Sequence, residues 1–206
     1  MAATTKSSMI PKLHKTVHNF GPNVHVSSHP IIAHKITILR SSTTPCGTFR
    51  AVLKEVTYHL GYEATTSLST EPTEISVPYG KEGHRDAIGQ KLLERITLIP
   101  IMRSGLGMVD SMLELLPNAH VHHIGMYKAH GQDIPVQYYN RLPRRCDSDV
   151  AYVMDTLIAT SSTIMSVVSI LKKVRSGVNS NCWKMTPLIL YESRRENCRF
   201  SRYENF

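Results

Sequence analysis

Two kinds of apolar pattern alternate along the C-terminal part of the chain. Apolar runs of strand length occupy residues 96–102 and 150–154, as expected for parallel strands that are buried on both faces, and residues 121–127 predict a strand between them. After each of the two apolar runs, apolar residues recur every three or four positions, which is the spacing of one helix face. This order predicts an α/β fold in which a parallel β-sheet is flanked by helices.

The surrounding segments predict the remaining elements. Residues 29–40 and about 48–64 have helical patterns, and Pro30 suits the first turn of the first helix. Residues 71–79 predict an edge strand or β-arm. The other predictions are a polar loop with a helical turn at 85–95, a helix from Leu106 that Pro117 ends, an extended segment at 135–142 and a last strand at 185–191. N-terminal helices and a β-arm therefore precede the sheet.

The segment 150–174 combines a strand, an acid, a hydroxyl-rich turn and a helix. Asp155 ends the strand, and the loop 159–163 follows it. We predict that Thr163 caps the helix by accepting a hydrogen bond from an N–H group of its first turn. Free N–H groups and the positive end of the helix dipole would then favour an anion in the loop. The alternative is an ordinary strand–helix connection with a polar turn.

Polar residues follow three of the predicted core strands. Arg103 follows the first strand, Lys128 follows the second and Asp155 ends the third. In parallel α/β sheets, ligands bind outside the carboxyl ends of the strands. Two cations and one acid at these positions fit a pocket for a sugar polyphosphate.

Length and charge narrow the classes of function. The 206 residues suit one domain, which we place at 25–206, after an acid-free segment at 1–24 that we predict to be a flexible leader. The net charge of +8 could attract nucleic acid, an acidic membrane or a polyphosphate. Neither an aromatic–basic RNA-binding pattern nor zinc-finger spacing accompanies the charge, so a nucleic-acid-associated protein is the less favoured alternative.

Cysteine usage and hydropathy bear on the compartment. The four cysteines show no Cys-x-x-Cys spacing, so reduced thiols in a cytoplasmic protein are the expectation. No apolar run reaches the length of a membrane span. The leader is rich in hydroxyl groups and poor in acids, which leaves targeting to an organelle open.

Histidines and tyrosines near the predicted sheet have two interpretations each. His120 and His122 would share one strand face, next to His123. No third metal ligand follows from the spacing, so structural or surface histidines are favoured over a metal site. Tyr138 and Tyr139 are interpreted as packing and sheet residues rather than as catalytic groups.

Four segments resemble successive motifs of the uracil phosphoribosyltransferase family. They are Ile-Pro-Ile-Met-Arg-Ser-Gly-Leu-Gly-Met-Val-Asp (99–110), His-Ile-Gly-Met-Tyr-Lys (123–128), Pro-Val-Gln-Tyr-Tyr (135–139) and Asp-Thr-Leu-Ile-Ala-Thr-Ser-Ser-Thr (155–163). Two N-terminal segments are similar to the opening helices of the family, namely His-Pro-Ile-Ile-Ala-His-Lys (29–35) and Thr-Pro-Cys-Gly-Thr-Phe-Arg (44–50).

The resemblance implies a reaction, a cofactor and an assembly. The family joins uracil to 5-phosphoribosyl 1-diphosphate (PRPP), giving UMP and diphosphate, usually with Mg²⁺. It implies a homodimer or higher homo-oligomer formed through the arm and the N-terminal helices. The protein would position both substrates and stabilise the departing diphosphate, without a side-chain nucleophile.

Residue roles also follow from the resemblance. Arg103 would bind the diphosphate, and Lys128 stands where the family usually has an arginine that reaches the same group. Asp155 would hold the ribose hydroxyls, and Arg103 and Asp155 are the implied catalytic residues. The implied PRPP-binding segment after Asp155 comprises Thr156, Leu157, Ile158, Ala159, Thr160, Ser161, Ser162 and Thr163.

The chain departs from the family pattern in two places. Ser161 and Ser162 replace glycines, and each serine would cost about 1–2 kcal/mol if its position requires a positive φ. The likeness fades after residue 175, and the family's uracil-binding segment has no counterpart before the last residue. We therefore expect either impaired transfer, with uracil-binding residues unassigned, or a catalytically inactive relative that binds PRPP or a nucleotide as a regulator or subunit.

Overall fold

The computed structural model describes residues 25–80, 83–128, 134–143, 148–157, 161–176 and 184–189. The predicted leader and the loop residues Ile158, Ala159 and Thr160 lie outside this part of the chain. The described helices are α1 (Pro30–Arg40), α2 (Cys46–Thr65), α3 (Leu106–Leu115) and α4 (Ser161–Ser176). The described strands are β1 (Thr70–Tyr79), β2 (Gly83–Leu92), β3 (Ile96–Met102), β4 (His120–Val121), β5 (Ile124–Tyr127), β6 (Val136–Asn140), β7 (Val150–Asp155) and β8 (Lys184–Ile189).

The main sheet has the strand order β6-β5-β3-β7-β8, with β4 also paired to β3. β3 pairs in parallel with β4, β5 and β7, and β7 pairs in parallel with β8. β6 runs antiparallel to β5 at the edge. The predicted α/β fold with a parallel sheet is confirmed, and the extended segment predicted at 135–142 forms the antiparallel edge strand.

The segment predicted as one strand at 121–127 forms two short strands, β4 and β5, which pair with β3 in the same register. β3 joins Leu98 to Val121 and Ile101 to Ile124, and this register places Pro100 opposite His123. Proline has no backbone N–H to donate to a ladder, and the pairing is interrupted between β4 and β5. The prediction of one continuous strand was therefore wrong at its centre.

Most of the segment predicted as a polar loop with a helical turn at 85–95 is instead strand, because β2 extends to Leu92. β2 pairs antiparallel with β1 along their whole lengths, from Thr70 opposite Leu92 to Tyr79 opposite Gly83. A ribbon of two strands exposes both faces, so its side chains do not need the apolar alternation of a half-buried strand. The turn begins at Gly80, whose φ of 66° glycine adopts without a steric penalty. The β-arm predicted at 71–79 is confirmed and has a second strand.

Two apolar clusters cover the two faces of the sheet. Tyr152 and Met154 of β7 pack in the cluster that includes residues of α1, α2 and α3. Ala151 and Val153 of the same strand pack in the cluster that includes Ile164 of α4. This alternation follows the period of two in a β-strand. β7 therefore packs against α1, α2 and α3 on one face of the sheet and against α4 on the other.

The N-terminus of α4 differs from the predicted one. The helix begins at Ser161, so Thr163 lies within its first turn and the predicted N-cap at Thr163 was wrong. Ser161 and Ser162 are helical, and the penalty for serine at a positive φ therefore does not arise. Among the described helices, none is both long enough and apolar enough to cross a membrane.

Candidate functional site

The carboxyl ends of three neighbouring parallel strands carry the predicted polar residues. β3 ends at Met102, one residue before Arg103, and its neighbour β5 ends at Tyr127, one residue before Lys128. On the other side of β3, β7 ends at Asp155. Because these strands are parallel neighbours in one sheet, the three residues lie at the same edge.

The turn after β3 packs directly on the end of β7. A Cβ atom at Gly105 would lie 2.3 Å from the carbonyl oxygen of Met154, so only glycine permits this approach. The Gly105 N–H donates to the Ile101 carbonyl oxygen at 2.9 Å. The peptide bond between Met102 and Arg103 is cis. The close approach of Gly105 to Met154 holds the turn at 103–105 against the strand that ends at Asp155.

Asp155 is the buried acid of this edge, with 8% of its surface exposed. The Ser104 hydroxyl donates a hydrogen bond to its Oδ1 atom. The backbone N–H groups of Thr156 and Leu157 also donate to the carboxylate. Burial raises the pKa of Asp155, and these three hydrogen bonds lower it in part by favouring the ionised form. The hydrogen-bond donors therefore stabilise the ionised form of Asp155, which burial disfavours.

The cations of the site are both accessible to a ligand. Arg103 and Lys128 are exposed. A guanidinium presents a planar fork of donors that matches phosphate oxygens, whereas a lysine ammonium acts as a compact point charge. An anion at this edge would therefore be oriented mainly by Arg103 and attracted by both groups.

The first turn of α4 supplies further donors for an anion. The first N–H groups of a helix have no partners within the helix, and they lie at the positive end of its dipole. The first turn of α4 contains no acidic residue that would compete for them. Ser162 and Thr163 are half-buried in this turn. The helix therefore fits an anion binding in the loop that precedes it.

Sequence reasoning missed Ser104. The only signal was a hydroxyl residue directly after Arg103, and one strand sequence cannot reveal that its side chain reaches the neighbouring strand.

The histidine interpretation favoured no metal site, and no group of metal-binding side chains is found among the described residues. The rings of His120 and His122 stand 6.4 Å apart. Tyr138 and Tyr139 both lie in β6.

Comparisons with known proteins identify relatives of this chain. The family model described as uracil phosphoribosyltransferase matches residues 26–182. The uracil phosphoribosyltransferase of Roseiflexus castenholzii is 43% identical over 150 residues, covering 73% of this chain and 70% of that protein. The uracil phosphoribosyltransferase of Streptococcus pneumoniae is 37% identical over 165 residues, covering 80% of this chain and 77% of that protein.

A solved structure has a similar fold. The AQ2163 protein from Aquifex aeolicus superimposes with a TM-score of 0.69 at 26% sequence identity, covering 82% of this chain and 76% of that one. The two proteins therefore share the arrangement of their helices and strands as well as part of their sequence. The strand-end site, the family model and the identity to these relatives show that the chain belongs to the uracil phosphoribosyltransferase family.

Proposed function

We propose that this chain transfers a phosphoribosyl group from PRPP to uracil, giving UMP and diphosphate. The observation that carries the proposal is the buried Asp155 carboxylate, joined by a hydrogen bond to the turn that presents Arg103. An acid that accepts ribose hydroxyls and a cation that binds diphosphate are thereby adjacent. Membership of the family supports this pair of substrates.

The reaction breaks the bond between C1 of the ribose and the diphosphate oxygen. Positive charge develops on the ribose ring, and negative charge develops on the leaving diphosphate. Arg103 and Lys128 would stabilise the leaving group, because fixed cations lower the energy of a transition state in which negative charge accumulates. Asp155 would hold the ribose hydroxyls and orient C1 towards the uracil nitrogen. The uracil nitrogen forms the new bond to C1 as diphosphate leaves, and the proton of that nitrogen passes to solvent, so no side-chain nucleophile is required.

The 5′-phosphate would bind beside the first turn of α4. Ser162 and Thr163 lie in this turn, where the positive end of the helix dipole favours an anion. The predicted contacts of Ile158, Ala159 and Thr160 complete this part of the proposal. PRPP would then span the edge of the sheet, from α4 past Asp155 to Arg103.

We propose Mg²⁺ as the cation that accompanies PRPP. Three donors already surround the Asp155 carboxylate, and no group of metal-binding side chains is found in the described part of the chain. Mg²⁺ usually keeps several waters and binds through substrate phosphates. The oxygens of PRPP would therefore hold the ion, which neutralises diphosphate charge when it is bound. The chain contributes by binding the PRPP that carries it.

We propose that the β1–β2 arm joins two copies of the chain. Among the described strands, β1 and β2 pair only with each other. Large apolar side chains stay exposed on the arm, including Tyr79 at 66% and Ile88 at 76%. Burial of such groups favours association, at roughly 25 cal/mol for each Å² removed from water.

The test measures UMP formation from uracil and PRPP by the full chain. Turnover that is lost in Arg103→Ala and Asp155→Asn, but kept in Ser169→Ala, supports the proposal. Ser169 is the control because its hydroxyl donates to the Met165 carbonyl oxygen within α4. Absence of turnover with thermal stabilisation by PRPP would instead indicate a catalytically inactive binding protein. Salt-sensitive RNA binding that Asp155→Asn leaves intact would favour a nucleic-acid role.

A further inference from the structure

We propose that Ser104 is a positioning residue, whose hydroxyl holds the Asp155 carboxylate in the orientation that receives the ribose of PRPP. This inference rests on the proposed function and adds to it a residue without a predicted contact to substrate. It begins from one hydrogen bond, in which the Ser104 Oγ atom donates to Oδ1 of Asp155.

The backbone fixes Ser104 relative to Asp155. Gly105 approaches the Met154 carbonyl so closely that a Cβ atom would stand 2.3 Å from its oxygen. Met154 immediately precedes Asp155 in β7. The turn carrying Ser104 and the strand end carrying Asp155 are therefore in direct backbone contact, and the hydroxyl has a defined distance to span.

The turn forms without help from the Ser104 hydroxyl. Its backbone hydrogen bonds run from Gly105 N–H to Ile101 at 2.9 Å, from Leu106 N–H to Arg103 at 3.2 Å and from Gly107 N–H to Ser104 at 3.2 Å. All three use main-chain atoms. Removal of the hydroxyl should therefore leave the turn in place and change only the surroundings of Asp155.

The carboxylate has room for one more donor. An ionised carboxylate can accept roughly four hydrogen bonds, and Ser104, Thr156 and Leu157 supply three donors. The donors come from two different chain segments, so rotation of the carboxylate would break at least one hydrogen bond. The remaining acceptor capacity suits a ribose hydroxyl.

Ser104 also links the two halves of the proposed site. It follows Arg103, the proposed diphosphate ligand, and it contacts Asp155, the proposed ribose ligand. Loss of this link should weaken PRPP binding and leave the affinity for uracil unchanged. A serine with a purely structural role would lower the melting temperature without any selectivity between the two substrates.

The experiment compares Ser104→Ala, Ser104→Thr and the control Ser169→Ala in the full chain. We expect Ser104→Ala to raise KM for PRPP about tenfold, the effect of losing one hydrogen bond to a charged group. KM for uracil should stay at its wild-type value. The melting temperature at about pH 7.5 should fall, because the ionised Asp155 carboxylate loses a donor. Ser104→Thr keeps a hydroxyl and should restore KM for PRPP, and Ser169→Ala should match the wild type throughout.

A second readout needs no substrate. The carboxyl carbon resonance of Asp155, assigned by its loss in Asp155→Asn, is titrated by NMR in the ligand-free chain. Loss of the Ser104 donor removes an interaction that favours the ionised form, so the pKa of Asp155 should rise in Ser104→Ala. The acid limb of kcat/KM for PRPP should move to higher pH in the same variant.

The outcomes separate this inference from the proposed function. An active wild type whose Ser104→Ala variant keeps both its KM for PRPP and its Asp155 titration would overturn the positioning role alone. A wild type that neither binds PRPP nor forms UMP would overturn the proposed function, and the positioning role with it, even if the titration shifts. A raised KM for PRPP, restored by threonine and accompanied by the titration shift, supports the role.

Discussion

At the residue scale, the buried carboxylate of Asp155 affects both the folding stability and the proposed transfer reaction. Burial raises its pKa more than its hydrogen bonds lower it, so the folded chain binds this proton more tightly than the unfolded chain does. The folding stability contributed by this group therefore falls as pH rises through the folded-state pKa. We expect Asp155→Asn to raise the melting temperature at about pH 7.5, because a neutral amide avoids the desolvation of a charge. UMP formation should fall at least about 100-fold, since the ribose loses its positioning.

Asp149 supplies a matched control of opposite sign. Hydrogen bonds from the Arg95 backbone and side chain lower the pKa of Asp149, and its ionised form therefore adds stability that is lost as pH falls through the folded-state pKa. Asp149→Asn should lower the melting temperature at the same pH and leave UMP formation unchanged. If both variants lose melting temperature, desolvation does not dominate at Asp155.

A second prediction concerns the close approach at Gly105. Gly105→Ala would place a methyl group 2.3 Å from the Met154 carbonyl oxygen, and the backbone of β3 or β7 would have to move. We expect the free energy of unfolding to fall by about 1–3 kcal/mol, the usual effect of overpacking. Urea denaturation measures it. Gly47→Ala is the control, because no atom lies within 4 Å of the added carbon, and equal losses in both variants would contradict the steric explanation.

The site residues could be predicted from the sequence only as far as strand ends reveal them. Arg103, Lys128 and Asp155 each follow or end a predicted core strand, so the order of strands places them at one edge of a parallel sheet. Ser104 was missed because its hydrogen-bond partner, Asp155, lies on another strand. A single sequence does not show which residues of different strands are in contact. Thr163 was misplaced because several hydroxyl residues in succession could each begin the helix.

At the element scale, the sequence identified elements whose burial pattern was distinctive. β3 and β7 are buried on both faces, and their continuous apolar runs predicted them. β2 was missed because a ribbon that is exposed on both faces needs no such pattern. The gap between β4 and β5 was missed because its cause, Pro100, lies on the neighbouring strand β3.

The half-buried His122 lies in that gap between β4 and β5. We expect its protonation to lower the folding stability at acidic pH. Burial lowers the pKa of His122 most, followed by the charges of His120 and His123. The unfolded chain therefore binds protons more readily as pH falls below the ordinary value of 6.5, and stability declines in that range. We expect His122→Asn to lose less melting temperature than the wild type between about pH 7.5 and 5.5.

The control for this prediction is His34→Asn, a substitution on the exposed surface of α1. This variant tests whether loss of any histidine reduces the acid-induced decline, and a reduction equal to that in His122→Asn would contradict the explanation by burial. An acid-induced loss in His122→Asn as large as that of the wild type would mean that other groups cause the decline.

At the scale of the whole molecule, strand order along the chain predicted the class of fold but not the full sheet. Apolar runs separated by helices require parallel crossovers, and β3, β5, β7 and β8 are parallel. The antiparallel direction of β6 agrees with its short connection to β5, since a parallel pair needs a longer crossover, but the pattern of apolar residues alone does not give a strand's direction. The separation of the arm from the sheet likewise depends on tertiary pairing.

The last prediction concerns assembly through the arm. Ile88 in the arm and Ile134 outside it are 76% and 77% exposed, so they form a matched pair of surface isoleucines. If the arm joins two copies, Ile88→Asp places a charge in an apolar interface, where an unpaired charge is strongly unfavourable. Sedimentation velocity should then show a shift of Ile88→Asp towards the monomer, while Ile134→Asp keeps the wild-type distribution. An unchanged distribution for Ile88→Asp would exclude this part of the arm from the interface, and dissociation by both variants would show that the effect is not specific to the arm.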